Sequence, residues 1–167
     1  MQDLKEILNE MYERNISLLS YAEAKNAGLL TINLAILIFL TESSNNKIEC
    51  LFKISMIFFA LSIICNIISF LPKGKLELKR EKKLPIWEKN LLFYMSYTEG
   101  ASSLKAFYEA LKKRYGIPKG KYDKYTRDLL EQVVTYSRII KRKNDYFYIG
   151  FWFTISGIFS FLLFYFI

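Results

Sequence analysis

The side chains with the clearest capacity for chemistry are cations. Four of the five residues from 79 to 83 are Lys or Arg, as are four of the six residues from 138 to 143. Clustered cations bind phosphate groups through charge-assisted hydrogen bonds, but they also orient membrane proteins and attract anionic lipids. Both uses stay open here. No nucleic-acid-binding signature accompanies the charge, so we expect no nucleic acid polymer as a partner.

Residues suited to catalysis or metal binding are scarce. The chain has no histidine, and a membrane-length apolar segment separates Cys50 from Cys65. Histidine is the commonest general base and metal ligand, and distant cysteines cannot form a disulfide. Because phosphate-binding loops and nucleophile elbows are missing as well, we expect no catalytic residues, no metal and no cofactor. An enzyme acting on lipid is the weakest of the alternatives.

Two asparagines lie inside apolar stretches, where polar side chains are costly and often mark function or helix contacts. If Asn33 and Asn66 belong to antiparallel neighbours, their depths differ by roughly 4.5 Å at about 1.5 Å per residue. A direct contact between them is therefore feasible. It would either lock a hairpin or serve a pore or gate. Gly150, Thr154 and Gly157 form a face that permits close helix packing, within the subunit or between subunits.

Three apolar runs hold these polar residues. Crossing a hydrocarbon core of about 30 Å takes roughly 20 apolar residues in a helix. The chain has too little other sequence to cover three helices that are apolar on every face in a soluble domain. We therefore predict an all-α membrane protein with three transmembrane helices, at residues 28–40, 54–71 and 146–167.

The distribution of Lys and Arg predicts how the chain is oriented in the membrane. Of the 24 Lys and Arg residues, 19 lie between residues 72 and 145. Because cytoplasmic segments are enriched in Lys and Arg, this region is expected inside the cell and the loop at 43–49 outside. The N-terminus is then cytoplasmic and the C-terminus external.

The remaining sequence shows helical periodicity. An amphipathic helix is predicted over residues 3–24, and a second begins at Ser102 or Ser103 and ends at Gly116. Residues 122–167 are predicted to form one long helix that leaves the cytoplasm and crosses the membrane. The expected regions are an N-terminal amphipathic helix (1–27), a transmembrane hairpin (28–71), a basic helical cytoplasmic region (72–145) and a C-terminal transmembrane helix (146–167).

Motifs along nearly the whole chain resemble the membrane-spanning Pycsar effectors. They are Ala24-Lys25 with the following apolar run containing Asn33, the segment Asn90-Leu91-Leu92-Phe93-Tyr94, and Tyr122-x6-Leu129-x9-Ile139 leading through Lys143 into a final apolar helix. The resemblance implies an antiphage effector of the bacterial inner membrane. Such effectors respond to a cyclic pyrimidine mononucleotide, cyclic CMP or cyclic UMP, made by a partner nucleotide cyclase, and then impair the membrane in an abortive infection.

A cyclic nucleotide needs a cation for its phosphate and an aromatic or apolar wall for its base. The candidate ligand-binding residues are Lys25, Asn90, Arg138, Arg142 and Lys143. Each has a structural alternative as an interface anchor, a helix cap or a topology charge. Membrane lipids and further copies of the chain, as a homo-oligomer, are the other expected partners. The rival hypothesis is a membrane-anchored structural or regulatory subunit that binds a protein partner through its cytoplasmic helices.

Overall fold

The structure is a computed structural model, and it describes residues 4–42, 50–71, 104–116 and 123–166. These residues form four α-helices and no strand, which confirms the all-α prediction. The helices are α1 (Leu4–Glu42), α2 (Cys50–Phe70), α3 (Leu104–Tyr115) and α4 (Lys124–Phe166).

The first helix joins the predicted amphipathic segment and the first predicted span into one element of 39 residues. The sequence where they meet contains no proline, and the first residue of the predicted span, Gly28, has open space around it. A glycine inside a helix costs only about 1 kcal/mol relative to alanine, so the helix continues. At about 1.5 Å per residue, a helix of this length exceeds what a bilayer alone requires.

Helix α3 ends where the sequence predicts. Gly116 follows it with a φ of 60°, the left-handed conformation that terminates many helices and that glycine adopts without a steric penalty. The start predicted at Ser102 or Ser103 lies outside the described residues, which resume at Leu104.

Helix α4 is continuous for 43 residues. Asp123 caps its start, because the Asp123 carboxylate accepts a hydrogen bond of 2.8 Å from the backbone N–H of Thr126. No break occurs at residues 143–145, so the basic stretch and the final apolar stretch belong to one helix, as predicted from the sequence.

The chain divides into two compact units, and α1 and α4 each run from one into the other. In the described part of the chain, the first unit contains residues 4–20, 104–116 and 123–141. The membrane unit contains residues 21–42, 50–71 and 142–166.

The first unit has an apolar core built from three helices. Residues at helical spacing on α1, α3 and α4 bury the stripes that the sequence indicates, with Leu8, Phe107, Leu111, Leu130 and Val133 fully buried. The stripe on α3 is therefore used within this chain.

The membrane unit has the opposite distribution. Large apolar side chains point outward, among them Ile57, Ile64, Trp152 and Phe159, whereas Asn33, Ser62 and Asn66 are fully buried. Among the described residues, three helices are long and apolar enough to cross a membrane. Apolar residues outside and hydrogen-bonded polar residues inside suit a surface in contact with lipid. The protein is a membrane protein.

Candidate functional site in the membrane unit

Lys143 joins all three helices of the membrane unit. It lies on α4, and its ammonium nitrogen is 3.2 Å from a carboxylate oxygen of Glu23 on α1. The same nitrogen donates a 3.4 Å hydrogen bond to the carbonyl oxygen of Ser69 on α2, and it lies 5.0 Å from the centre of the Phe70 ring. Lys143 is only 5% exposed, so these contacts replace most of its hydration.

Arg142 contacts the backbone at the end of α2. Its guanidinium donates a 2.8 Å hydrogen bond to the carbonyl oxygen of Leu71, one residue beyond the end of α2. The last carbonyls of a helix have no partner within the helix and carry partial negative charge, which favours nearby cations. Arg142 and Lys143 together therefore cap α2. The Arg142 Nε atom is buried and has no hydrogen-bond partner among the described residues.

Lys25 lies among aromatic rings instead of carboxylates. Its ammonium nitrogen is 4.5 Å from the centre of the Phe147 ring, 5.6 Å from that of Tyr21 and 5.8 Å from that of Tyr148. These distances are typical of cation–π contacts. One residue further along α1, the Asn26 side-chain amide donates a 3.2 Å hydrogen bond to the backbone carbonyl of Lys143. The packing of α1 on α4 thus places Lys25 and Lys143 in one neighbourhood.

The other two candidate ligand-binding residues are placed differently. Asn90 lies outside the described residues. Arg138 belongs to the first unit, where it is half-buried and where burial lowers the pKa of its guanidinium. The structure therefore brings Lys25, Arg142 and Lys143 together in the membrane unit.

Asn33 and Asn66 contact a common hydroxyl instead of each other. The Asn33 amide donates a 2.8 Å hydrogen bond to Ser62 Oγ, and the Asn66 amide donates a 2.8 Å bond to the Ser62 carbonyl and lies 3.5 Å from Ser62 Oγ. The direct contact that their similar depth made feasible is replaced by this shared serine. Ser62 and Asn66 lie one helical turn apart on the same face of α2. The hydroxyl of Ser62 occupies the position beside the Asn33 amide.

The small residues of α4 pack against this hydroxyl. Ser62 Oγ donates a 2.7 Å hydrogen bond to the Gly150 carbonyl and lies 3.0 Å from Thr154 Oγ1. Thr154 in turn donates a 2.9 Å hydrogen bond to the Asn33 side-chain oxygen. A Cβ atom at Gly150 would lie 2.8 Å from Asn66 Nδ2, and one at Gly157 would lie 3.1 Å from the Phe59 ring. Of the two roles considered for these residues, the structure shows packing within the subunit.

Sequence reasoning missed the serines that complete this network. Ser55, Ser62 and Ser69 recur every seven residues along α2 and are fully buried. Seven residues make nearly two helical turns, so they share one face. This heptad spacing within an apolar run is the signal that identifies the face. Sequence reasoning also did not pair Glu23 with Lys143, because the two residues are 120 positions apart in the sequence.

Metal-ligating side chains do not cluster in the part of the chain that the structure describes. Within it, no group of three or more His, Cys, Asp or Glu side chains could hold a metal ion. The membrane unit offers cations, aromatic rings and a buried network of neutral hydrogen-bonding groups. This arrangement can bind an anion and hold three helices together.

A bundle of apolar-surfaced helices with a cationic cluster at one end defines the class as a helical membrane protein. A family model described as the Pycsar effector protein domain matches residues 7–167. The chain belongs to this family, and the family assignment makes it an antiphage defence effector. No curated protein and no solved structure matches the chain.

Proposed function

We propose that this protein is activated by a cyclic pyrimidine mononucleotide and then breaches the inner membrane of the infected cell. The observation that carries the proposal is the position of Lys143, which contacts α1, α2 and α4 through one ammonium group. A ligand that draws this ammonium away from Glu23 and Ser69 loosens all three helices together.

The charge of the cluster suits one phosphate. Arg142 and Lys143 bring two cations to the end of α2, and Glu23 supplies the carboxylate that Lys143 contacts. Glu23 is half-exposed, with 49% of its side chain accessible, whereas the Lys143 side chain is 6% accessible. A cyclic phosphate carries one negative charge and can take the place of the Glu23 carboxylate at Lys143.

Aromatic rings beside the cluster provide a surface for the base. Phe147 and Tyr148 follow Lys143 by one turn of α4, and Lys25 lies against both rings. Flat pyrimidines stack on such rings, and a cation held over them can move to a phosphate. Lys25 and Arg142 complete the proposed set in the membrane unit. Arg138, which belongs to the first unit, and Asn90, which lies outside the described residues, stay candidates from the sequence alone.

Activation requires differential binding, because a ligand shifts an equilibrium only when it binds one state more tightly. Inverting a population from about 1:99 to 99:1 takes roughly 5.5 kcal/mol. Lys143 is buried in the present state, so a ligand gains its phosphate contact only when the helices separate. No bond is made or broken in this mechanism. The N-terminus and the basic region face the cytoplasm, where a partner cyclase releases the nucleotide.

The rival function, a regulatory subunit that binds a protein through its amphipathic helices, loses its main support. Phe107, Tyr108 and Leu111 of α3 are buried against α1 and α4 of the same chain. That stripe is therefore unavailable to a partner unless the first unit opens.

Dye-filled vesicles of phosphatidylethanolamine and phosphatidylglycerol containing the purified full chain test the proposal. We expect leakage on adding cyclic CMP or cyclic UMP and none with linear CMP or UMP. Lys143→Met should abolish the response, whereas Lys124→Met, an exposed cation at the start of α4, should preserve it. Leakage without nucleotide, or none with any cyclic nucleotide, contradicts the proposal. Co-expression with the cyclase should be toxic, and expression alone should not.

A further inference from the structure

We infer that the buried polar face of the membrane unit forms the wall of the path through which ions and small solutes cross the activated protein. The inference rests on the proposed function and names the route of the leak. The path-lining residues are Ser55, Ser62, Asn66 and Ser69 of α2, Asn33 of α1 and Thr154 of α4.

The polar face extends through most of the bilayer. From Ser55 to Ser69 it covers 14 residue steps of α2, or about 21 Å at roughly 1.5 Å per residue, in a hydrocarbon core of about 30 Å. All six side chains are at most 4% exposed. One or two polar side chains at a single depth are enough to hold α1 and α2 together by hydrogen bonds. These polar side chains are instead distributed along α2.

The opposite face of α2 is apolar and outward. Ile57, Leu61, Ile64 and Ile68 are each more than one third exposed. When the bundle rearranges, the apolar face of α2 can therefore stay in contact with lipid. The polar face of α2 can at the same time exchange its contacts with α1 and α4 for contacts with water. Irregular or polar surfaces are tolerated at membrane depth where they line a water-filled cavity.

The hydrogen bonds around Ser62 join side chains of all three helices. The Asn33 amide donates to Ser62 Oγ, the Ser62 hydroxyl donates to the Gly150 carbonyl, and the Thr154 hydroxyl donates to the Asn33 side-chain oxygen. Each of these neutral groups can exchange its partner for water when the helices separate.

Two groups on this face have no hydrogen-bond partner among the described residues. They are the Asn66 side-chain oxygen and the Ser69 hydroxyl, and both residues are fully buried. Buried polar groups without partners are rare and call for a physical explanation. Water entering along this face would hydrogen-bond to both groups. The open, hydrated state thus satisfies groups that the closed state leaves unpaired.

The wall is uncharged. The polar side chains of this face from Ser55 to Ser69 are Asn, Ser and Thr in the described residues, and charge enters at Lys143 near the end of α2. Selectivity between cations and anions in channels comes from rings of charged side chains or ordered carbonyls. We therefore expect weak ion selectivity, with a small preference for anions from Lys143.

Cysteine accessibility tests the path directly. In a background with Cys50 and Cys65 replaced by alanine, Ser62→Cys places a thiol on the proposed wall, and Leu61→Cys places the matched control on the lipid face. A charged, membrane-impermeant methanethiosulfonate reagent should modify Ser62→Cys at least about tenfold faster with cyclic CMP or cyclic UMP than without, following the open population. Attachment of the cationic trimethylammonium group should reduce the current and increase its anion preference. Leu61→Cys should show neither change.

Two further measurements keep the inference falsifiable. Ser55→Cys is a second probe, whose thiol can retain the position of the Ser55 hydroxyl against the Gly157 carbonyl. Wild-type current across a planar bilayer with a KCl gradient should reverse near zero potential, which needs no substitution. Strong selectivity, or currents while both thiols stay unmodified, overturns the path and leaves the proposed function intact. Wild-type protein that conducts with no nucleotide present contradicts the ligand-gated function instead, and protein that never conducts contradicts both.

Discussion

The ammonium nitrogen of Lys143 lies 3.2 Å from a carboxylate oxygen of Glu23 and 3.4 Å from the carbonyl oxygen of Ser69. Lys143 thereby links α1 and α2 to the helix on which it lies. Because Lys143 is buried, the contact with Glu23 removes most of the cost of holding a charge away from water.

Removing the carboxylate should loosen this junction. Glu23→Gln leaves the Lys143 ammonium without its anion and should destabilise the chain in detergent by about 1–3 kcal/mol, less than a fully buried pair because Glu23 is half-exposed. We also expect vesicle leakage at lower nucleotide concentration. Thermal unfolding and dye release measure the two effects. The control is Glu131→Gln, an exposed carboxylate of α4. Equal midpoints for the two variants would contradict the role of the Glu23 contact.

Close packing of α2 on α4 should be sensitive to one methyl group. In Gly150→Ala the new Cβ lies 2.8 Å from the Asn66 amide nitrogen and 3.3 Å from Ser62 Oγ. Overpacking of this kind costs typically about 1–3 kcal/mol. Gly28→Ala is the control, since a Cβ there meets no atom within 4 Å. We expect a lower unfolding midpoint for Gly150→Ala than for Gly28→Ala. A shared midpoint would mean that the helices pack differently there.

Asp123 should make the first unit sensitive to acid. Hydrogen bonds from Thr126, and then the hydrogen bond and charge of Lys5, hold the pKa of the Asp123 carboxyl well below its usual range. A lowered folded-state pKa adds stability above the unfolded pKa of about 3.9, and this contribution is lost as pH falls through the folded pKa. Asp123→Asn should therefore lower the unfolding midpoint at neutral pH and have less effect in strong acid.

Circular dichroism across a pH series measures this difference. Asp128→Asn, which changes an exposed carboxylate on the first turns of the same helix, is the matched control. A gap between Asp123→Asn and the wild type that stays constant down to strongly acid pH would contradict the assignment.

Asn15 should be replaceable by an apolar residue. Its amide donates hydrogen bonds of 3.0 Å to the Val133 carbonyl and to Ser137 Oγ, but its side-chain oxygen is buried without a partner in the described residues. Asn15→Leu removes that unpaired acceptor, and Ser137 still donates to the Val133 carbonyl. We expect a change of less than about 1 kcal/mol, compared with about 2–5 kcal/mol for Leu8→Ala in the same core. Denaturant unfolding of the two variants compares these costs, and a loss at Asn15→Leu as large as that at Leu8→Ala would show that the amide is needed.

Much of the fold follows from the sequence because helices are local. The apolar runs, the stripes of Leu8, Phe107 and Leu130, and the glycine stop at Gly116 depend on residues within a few turns of each other. The family resemblance read from the sequence is also confirmed, by the match over residues 7–167. The orientation in the membrane and the identity of the nucleotide stay predictions.

The site depended on tertiary structure. Sequence singled out Lys25, Arg142 and Lys143 as cations, but it did not show that Lys25 lies among aromatic rings while Lys143 pairs with Glu23. It placed Asn33 and Asn66 at similar depth and missed the serine between them. Periodicity determines which face of a helix is polar, since rotation per residue is fixed. Which polar groups meet depends on the register and rotation of three helices packed together, and those are set by contacts between residues as far apart as Asn33 and Thr154.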